Sequence, residues 1–216
     1  MKYLHKIWKN NRSLIVFISL MCVFRSAVAD WYEVPTGSMK PTIVEGDRIL
    51  TDKMAYDLRV PFSKISLLKL AEPQAGDIIV FDSVAAQNRL IKRVIGVPGD
   101  RVALVDNQLV INGKHLNYDP VSETAINRVA IENLNGIKHA VKLSKQRSAI
   151  QNFAPVIIPQ DMYLAMGDNR DNSADSRVIG LVPRAELLGR AKRVIVSLDY
   201  DYYYLPRKNR LLKELQ

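Results

Sequence analysis

A mainly β domain with a small β-ribbon subdomain, preceded by one N-terminal transmembrane helix, is the fold class that the sequence predicts. Three observations lead to it. Beyond residue 30, short runs that alternate apolar and polar residues are separated by Gly, Pro, Asn and Asp. No stretch of that region holds a long amphipathic helix. The one strongly apolar run, Leu14 to Phe24, stands near the N-terminus between Arg12 and Arg25. With 216 residues, 48% hydrophobic and 25% charged, the chain can bury one core but not several large domains.

The first element is read from that run. Lys2, Lys6, Lys9 and Arg12 precede it, and Arg25-Ser26-Ala27-Val28-Ala29-Asp30 follow. Two readings compete. A basic stretch, a short apolar core and Ala27-Val28-Ala29 imitate a cleavable signal peptide. Alternatively, Ser13 to Ala29 reaches the lower limit of about 17 residues for a spanning helix, with Arg25 snorkelling outward and Trp31 and Tyr32 as interfacial aromatics. On that second reading residues 1–12 are cytoplasmic, 13–29 form the anchor, and 30–216 form an exported domain, because positive charge stays inside.

The strands follow in order: Asp47 to Asp52, Asp77 to Phe81, Arg89 to Ile95, Arg101 to Val105, Leu109 to Ile111, Met162 to Met166 and Lys192 to Leu198. Turns are expected at Gly76-Asp77, Pro98-Gly99-Asp100, Asp106-Asn107 and Asn112-Gly113. From Tyr118 to Phe153 the chain turns polar, which predicts a protruding β-ribbon within about 103–158 that can vary in length without consequence. Pro183 to Gly189 predicts a short helical turn.

A net charge of +9 suits anionic lipid or nucleic acid. No nucleic-acid-binding pattern accompanies it, so nucleic acid is not expected as a partner. Cys22 is the single cysteine, which excludes an internal disulfide and a thiolate metal cluster. No converging metal-ligand spacing occurs, and neither a metal nor a cofactor is expected. Of the three histidines, His5 falls on the cytoplasmic side of the anchor, and His115 and His139 read as exposed residues flanking turns rather than as triad members.

Nucleophilic chemistry is left with a hydroxyl and a base other than histidine. In Leu90-Ile91-Lys92-Arg93-Val94-Ile95 the period of two puts Lys92 and Arg93 on opposite faces, so at least one charge meets an apolar environment. A lysine titrating near 10.4 must fall to roughly 7–8 to serve as a general base at neutrality, and burial against aliphatic groups can lower it that far. A lone strand lysine can equally snorkel to water. Ser38, after Gly37 and before Lys40-Pro41, sits in a turn that could present a hydroxyl or be a plain loop. The segment Gly167 to Arg177 is so dense in carboxylates, amides and arginines that a buried, salt-bridged turn is expected there, rather than a calcium loop.

Three segments taken together, Val34-Pro-Thr-Gly-Ser-Met-Lys-Pro-Thr42, Ile91-Lys-Arg-Val-Ile-Gly-Val-Pro-Gly-Asp100 and Gly167-Asp-Asn-Arg-Asp-Asn-Ser-Ala-Asp-Ser-Arg177, closely resemble bacterial type I signal peptidase in content, order and spacing. The resemblance runs from about Arg25 to Ser197. It implies a signal-peptidase-like β domain, with Ser38 as nucleophile and Lys92 as general base of a Ser-Lys dyad. It further implies an oxyanion hole from the Thr36 hydroxyl and the Ser38 N–H, Ser173 orienting the lysine, Gly167 leaving room for the lysine stem, and Asp175 with Arg177 as a structural ion pair. Tyr32, Val34, Leu50 and Ile91 become walls of pockets for small side chains. The implied partners are signal peptides of exported preproteins, bound as an added strand and cut after a small-x-small motif, together with membrane lipid. The resemblance also favours the retained single-pass anchor in the inner (plasma) membrane, with the catalytic domain on the exported side. A dedicated pilin or conjugation peptidase and a catalytically silent envelope protein are the rival readings. The tail after Asp199, with Tyr202-Tyr203-Tyr204 and Arg207 to Arg210, carries no assigned role, and Met54 to Leu70 could rest on lipid.

Overall fold

The computed structural model describes residues 2–215. The side chains of Lys2, His5, Lys6 and Lys9 lie outside the described residues, and with them the expectations placed on those four. The chain opens with a helix, α1 (Lys2–Ala27), and continues almost wholly in strands. These are β1 (Ala29–Glu33), β2 (Asp47–Asp52), β3 (Asp57–Arg59), β4 (Ser66–Lys69), β5 (Ile78–Ser83), β6 (Asn88–Gly96), β7 (Arg101–Val105), β8 (Gln108–Ile111) and β9 (Lys114–His115). They continue as β10 (Asn117–Glu123), β11 (Asn127–Leu134), β12 (Ile137–Ser144), β13 (Phe153–Ile157), β14 (Met162–Met166), β15 (Val182–Pro183), β16 (Leu187–Asp199) and β17 (Leu205–Pro206). A short helix, α2 (Ser176–Ile179), precedes β15.

The main sheet runs β1-β2-β16-β5-β6-β14-β15, with β17 beside β16. Its pairs are antiparallel. β16 serves two neighbours because register shifts at Leu187/Gly189, Ala191/Arg193 and Val194/Val196 bend it from β5 towards β2. Alternation sets which residues enter the core: in β2, Asp47, Ile49 and Thr51 are buried while Arg48, Leu50 and Asp52 are half-exposed. Ile49 packs with Val34, Met39, Ile43, Ile78 and Val80, which fixes the loop between β1 and β2 from below.

Several expectations change. The helix ends at Ala27 and Ala29 already belongs to β1, so the expected span 13–29 does not form as one helix. Among the described residues no helix is long and apolar enough to cross a membrane. The reason is the eleven-residue run from Leu14 to Phe24, closed by Arg12 and Arg25, which at about 1.5 Å per residue covers about half of a hydrocarbon core of ~30 Å. The stretch 103–158 is not one ribbon: β7, β8, β9 and β13 form a four-stranded sheet, and β10, β11 and β12 a three-stranded one. The helical turn at Pro183 shrinks to a 3-10 turn over Arg184–Glu186, and β16 takes over from Leu187.

Candidate active site

Ser38 lies in the turn between β1 and β2, and Lys92 in the middle of β6, 54 residues later. Their side chains meet: Lys92 Nζ donates to Ser38 Oγ at 2.8 Å. The turn is rigid for identifiable reasons. Met39 and Ile43 are buried in the core on its inner side. The Lys40 and Ile43 N–H groups close it onto the Gly37 and Met39 carbonyls. Asn169 then clamps it from across the site, its N–H donating to the Ser38 carbonyl at 3.0 Å and its amide to the Gly37 carbonyl at 3.0 Å.

Lys92 is only 3% exposed. Burial lowers its pKa to about 8, against an upward pull from the Asp175 and Asp168 charges and a further downward push from Arg177. The amine is therefore partly neutral near physiological pH, which is what a proton acceptor requires.

The segment 167–177 is held by buried ion pairs. Asp168 is fully buried; burial works to raise its pKa, but the Arg93 charge and its two hydrogen bonds, 2.9 and 2.8 Å, hold it below the ordinary carboxylate value. Thr42 Oγ1 donates at 2.5 Å to Oδ2 of this carboxylate, the oxygen that also accepts from Arg93 Nη2, tying the Ser38 turn to it. Asp175 caps α2 and pairs with Arg177 through Nε and Nη2, both at 2.8 Å, and its Oδ2 accepts the Gly167 N–H at 2.9 Å. Gly167 is required by close approach: a Cβ there would collide with Ser173 Oγ and the Ser38 carbonyl. Ser173 is buried beside it.

A cleft of about 270 Å³ opens above the Ser38–Lys92 pair, and Tyr32, Val34, Thr36, Ser38, Ile91 and Lys92 all line it. Its two long sides are strand edges. Among the described residues β1 pairs only with β2, and β6 is joined to β14 only from Arg93 onward, so Asn88 to Lys92 keep one edge without a strand partner there. Arg89 stacks its guanidinium 4.6 Å from the Tyr32 ring across the cleft, and burial raises the Tyr32 phenol to about 12. Leu50 does not reach this cleft: it occupies the opposite face of β2 from Ile49, which packs against Val34 and Met39. A larger recess of about 660 Å³ between the β11–β12 turn and β16 is lined in part by paired ions, Arg190 with Asp77 and Arg193 with Glu214, and its described lining includes no Ser, Thr, Cys or His.

His139 corrects the sequence reading most sharply. It is 5% exposed, and its Nε2 stands 3.1 Å from Glu132 Oε1 and 4.0 Å from Asp168 Oδ1. It pairs across strands with Glu132, which makes a bidentate bond to Arg170 at 2.7 and 2.6 Å and accepts from Tyr118 at 2.6 Å. The polar ribbon is thus bolted to the segment beneath the site and is not an idle protrusion. The alternation of His139 with Val141 and Leu143 carried that signal. His115 is exposed. Asn169 and Thr42 went unassigned in the sequence reading, although both lie inside the segments that drew attention to the site.

A family model described as "Signal peptidase, peptidase S26" matches residues 7–196. The chain belongs to that signal peptidase family. The signal peptidase I of Pseudomonas aeruginosa is 34% identical over 203 residues, 87% of this chain and 72% of that protein. A probable signal peptidase I-2 of Synechocystis is 33% identical, over 84% of this chain and 69% of that protein. The Rickettsia typhi signal peptidase I is 34% identical, over 88% of this chain and 81% of that protein. As a member of the signal peptidase family this chain is a peptidase, a hydrolase of peptide bonds.

Proposed function

We propose that the chain is a serine endopeptidase that removes signal peptides from exported preproteins through a Ser38-Lys92 dyad. The observation that carries this reading is the 2.8 Å bond from a buried lysine of lowered pKa to a hydroxyl at the floor of a cleft. Neutral Lys92 accepts the Ser38 proton as Oγ attacks the scissile carbonyl, and returns it to the leaving amine. The Thr36 hydroxyl and Ser38 N–H receive the oxyanion. Lys92 then activates the water that hydrolyses the acyl-enzyme. Gly167 leaves the amine space, Asp175 with Arg177 fixes the segment behind it, and Ser173, buried beside Gly167, is the hydroxyl expected to orient the amine although no hydrogen bond joins the two in this structure.

The substrate enters as an extended strand between the free edges of β1 and β6. In such a peptide the first and third side chains before the cut point the same way, towards pockets walled by Tyr32, Val34 and Ile91. The catalytic part, from residue 30 onward, works on the exported side of the inner membrane and is attached to it through α1, whose apolar run of eleven residues does not by itself reach across the hydrocarbon core. In support, Leu14, Phe17, Ile18, Leu20 and Phe24 of α1 are exposed. Alkaline extraction that leaves the protein in the membrane pellet supports attachment; release into the wash removes it.

Cleavage of a purified preprotein tests the dyad. Ser38→Ala and Lys92→Ala are each expected to abolish cleavage while the circular dichroism spectrum is retained. Wild-type turnover by either variant would refute the assignment.

A further inference from the structure

The tail beyond residue 196 lies outside the family match, yet it reaches under the nucleophile's turn. Its chain path is fixed by the sheet. β16 leaves β5 at Arg190, and the C-terminal segment fills the vacated edge, with the Val194 N–H donating to the Lys213 carbonyl at 2.8 Å and the Leu215 N–H to the Lys192 carbonyl at 2.9 Å. Leu215 adds to the cluster of Val34, Met39 and Ile43.

Two arginines on the way bind the turn directly. Arg207 donates to the carbonyls of Glu45 at 2.9 Å and Leu198 at 3.0 Å. Gly46 packs so tightly on the Leu198 carbonyl that a Cβ would collide with it. Arg210 is 9% exposed and grips Asp47 with Nε at 2.9 Å and Nη2 at 2.5 Å, while Nη2 also donates to the Thr42 carbonyl at 3.0 Å. Asp47 in turn accepts from the Val44 N–H at 3.0 Å, and its carbonyl accepts from the Val34 N–H at 3.0 Å. Val34 and Thr42 bracket Ser38. Thr42 is therefore held at both ends, its carbonyl by Arg210 and its hydroxyl by Asp168, whose other partner, Arg93, is the neighbour of Lys92.

We propose that Arg210 is a positioning residue for Ser38: the C-terminal tail is a strap whose guanidinium sets the height of the nucleophile's turn relative to Lys92. The proposal rests on the dyad reading above. An arginine suits the task because its planar fork spans a carboxylate and a carbonyl at once, whereas an ammonium can satisfy only part of the set. A displacement of about 1 Å at the reacting atoms is enough to cost on the order of a hundredfold in rate. Since Arg210 does not line the substrate cleft, the loss falls on the chemical step and not on binding.

The experiment compares full-length wild type, Arg210→Ala, Arg210→Lys and Ser38→Ala on one preprotein, with circular dichroism melting of each. Arg210→Ala is expected to lower kcat about tenfold or more with KM within twofold and the acid limb of the pH profile unmoved. Arg210→Lys is expected to recover part of the lost kcat at wild-type KM. Wild-type kcat in Arg210→Ala, or a loss that only follows the folded fraction, overturns the proposal. Should Arg210→Ala fail to fold, Arg210→Lys decides alone: reduced kcat at unchanged KM in a fully folded protein supports the strap, and wild-type kcat overturns it. An active Ser38→Ala would overturn the dyad reading itself, whereas an inactive one beside a fully active Arg210→Ala removes only the strap.

Discussion

Lys92 places an amine where folding makes its charge costly. The ordinary pKa of 10.5 falls to about 8, burial being the first cause, and that difference corresponds to about 3 kcal/mol. Below about pH 8 both folded and unfolded chains carry the proton, and the folded state bears the whole cost. Between about 8 and 10.5 the folded chain binds fewer protons than the unfolded one, so stability rises with pH through that window. Two outcomes follow at this single residue. The rate constant kcat/KM should fall about tenfold per pH unit below about 8, since the base of the free enzyme must be neutral. A profile flat down to pH 5 would exclude an amine base. Lys92→Met should be inactive yet more stable than wild type by roughly 2–3 kcal/mol in urea unfolding at pH 6.5, with the gap narrowing at pH 10. Equal stabilities at pH 6.5 would mean that the amine is better solvated than its 3% exposure implies.

At the scale of elements, the site is a joint between three segments that share buried ion pairs: β6 through Arg93, segment 167–177 through Asp168 and Arg170, and the β11–β12 pair through Glu132. Burial works to raise the Glu132 pKa, but the Arg170 charge overrides it and holds the carboxyl well below the ordinary value. Removing one partner leaves the other charged and dry. Glu132→Ala should cost roughly 3–5 kcal/mol, whereas an apolar replacement of both Glu132 and Arg170 should cost much less. Chemical unfolding of the single and double variants checks this, and a Glu132→Ala loss under about 1 kcal/mol would show that water reaches Arg170. What the sequence made legible has the same boundary. Strands Asp47–Asp52, Arg101–Val105 and Met162–Met166 formed with the predicted limits: the first alternates buried and half-exposed residues, whereas the other two are short apolar runs buried on both faces. β4 escaped because all four of its residues are exposed and no alternation marks it. The strap of Arg210 escaped because its partner, Asp47, lies far away in the chain and no local pattern encodes a pairing of that kind, whereas the burial of His139 was marked locally by its alternation with Val141 and Leu143. Ser38 and Lys92 are left open by their own segments, a turn that could be a plain loop and a strand lysine that could snorkel to water, and it is the resemblance of the three segments to bacterial type I signal peptidase that singles them out.

At the scale of the whole molecule, one group of exposed apolar side chains lies around the C-terminal end of α1. The β3–β4 hairpin is joined to that end, with the Phe62 N–H donating to Ser26 Oγ at 2.6 Å. Phe62, Ile65, Leu67 and Leu68 of the hairpin are all exposed, Phe62 to 72%. Trp31 is joined to the same end by Arg25, whose guanidinium lies 4.2 Å from the indole. An interfacial aromatic beside exposed aliphatics and the basic Lys64 and Lys69 is the composition that rests at a headgroup boundary. Such a footing would hold the cleft at a fixed height over the bilayer, where a peptide emerging from it needs to be met. Phe62→Cys in a Cys22→Ser background, labelled with an environment-sensitive fluorophore, should shift to the blue on addition of anionic vesicles. Phe62→Asp with Leu67→Asp should lose that partitioning and slow the cleavage of a vesicle-bound preprotein several-fold, while cleavage of a short soluble peptide keeps its wild-type rate because the dyad is untouched. An unchanged emission spectrum, or equal slowing on both substrates, would show that the hairpin does not meet lipid.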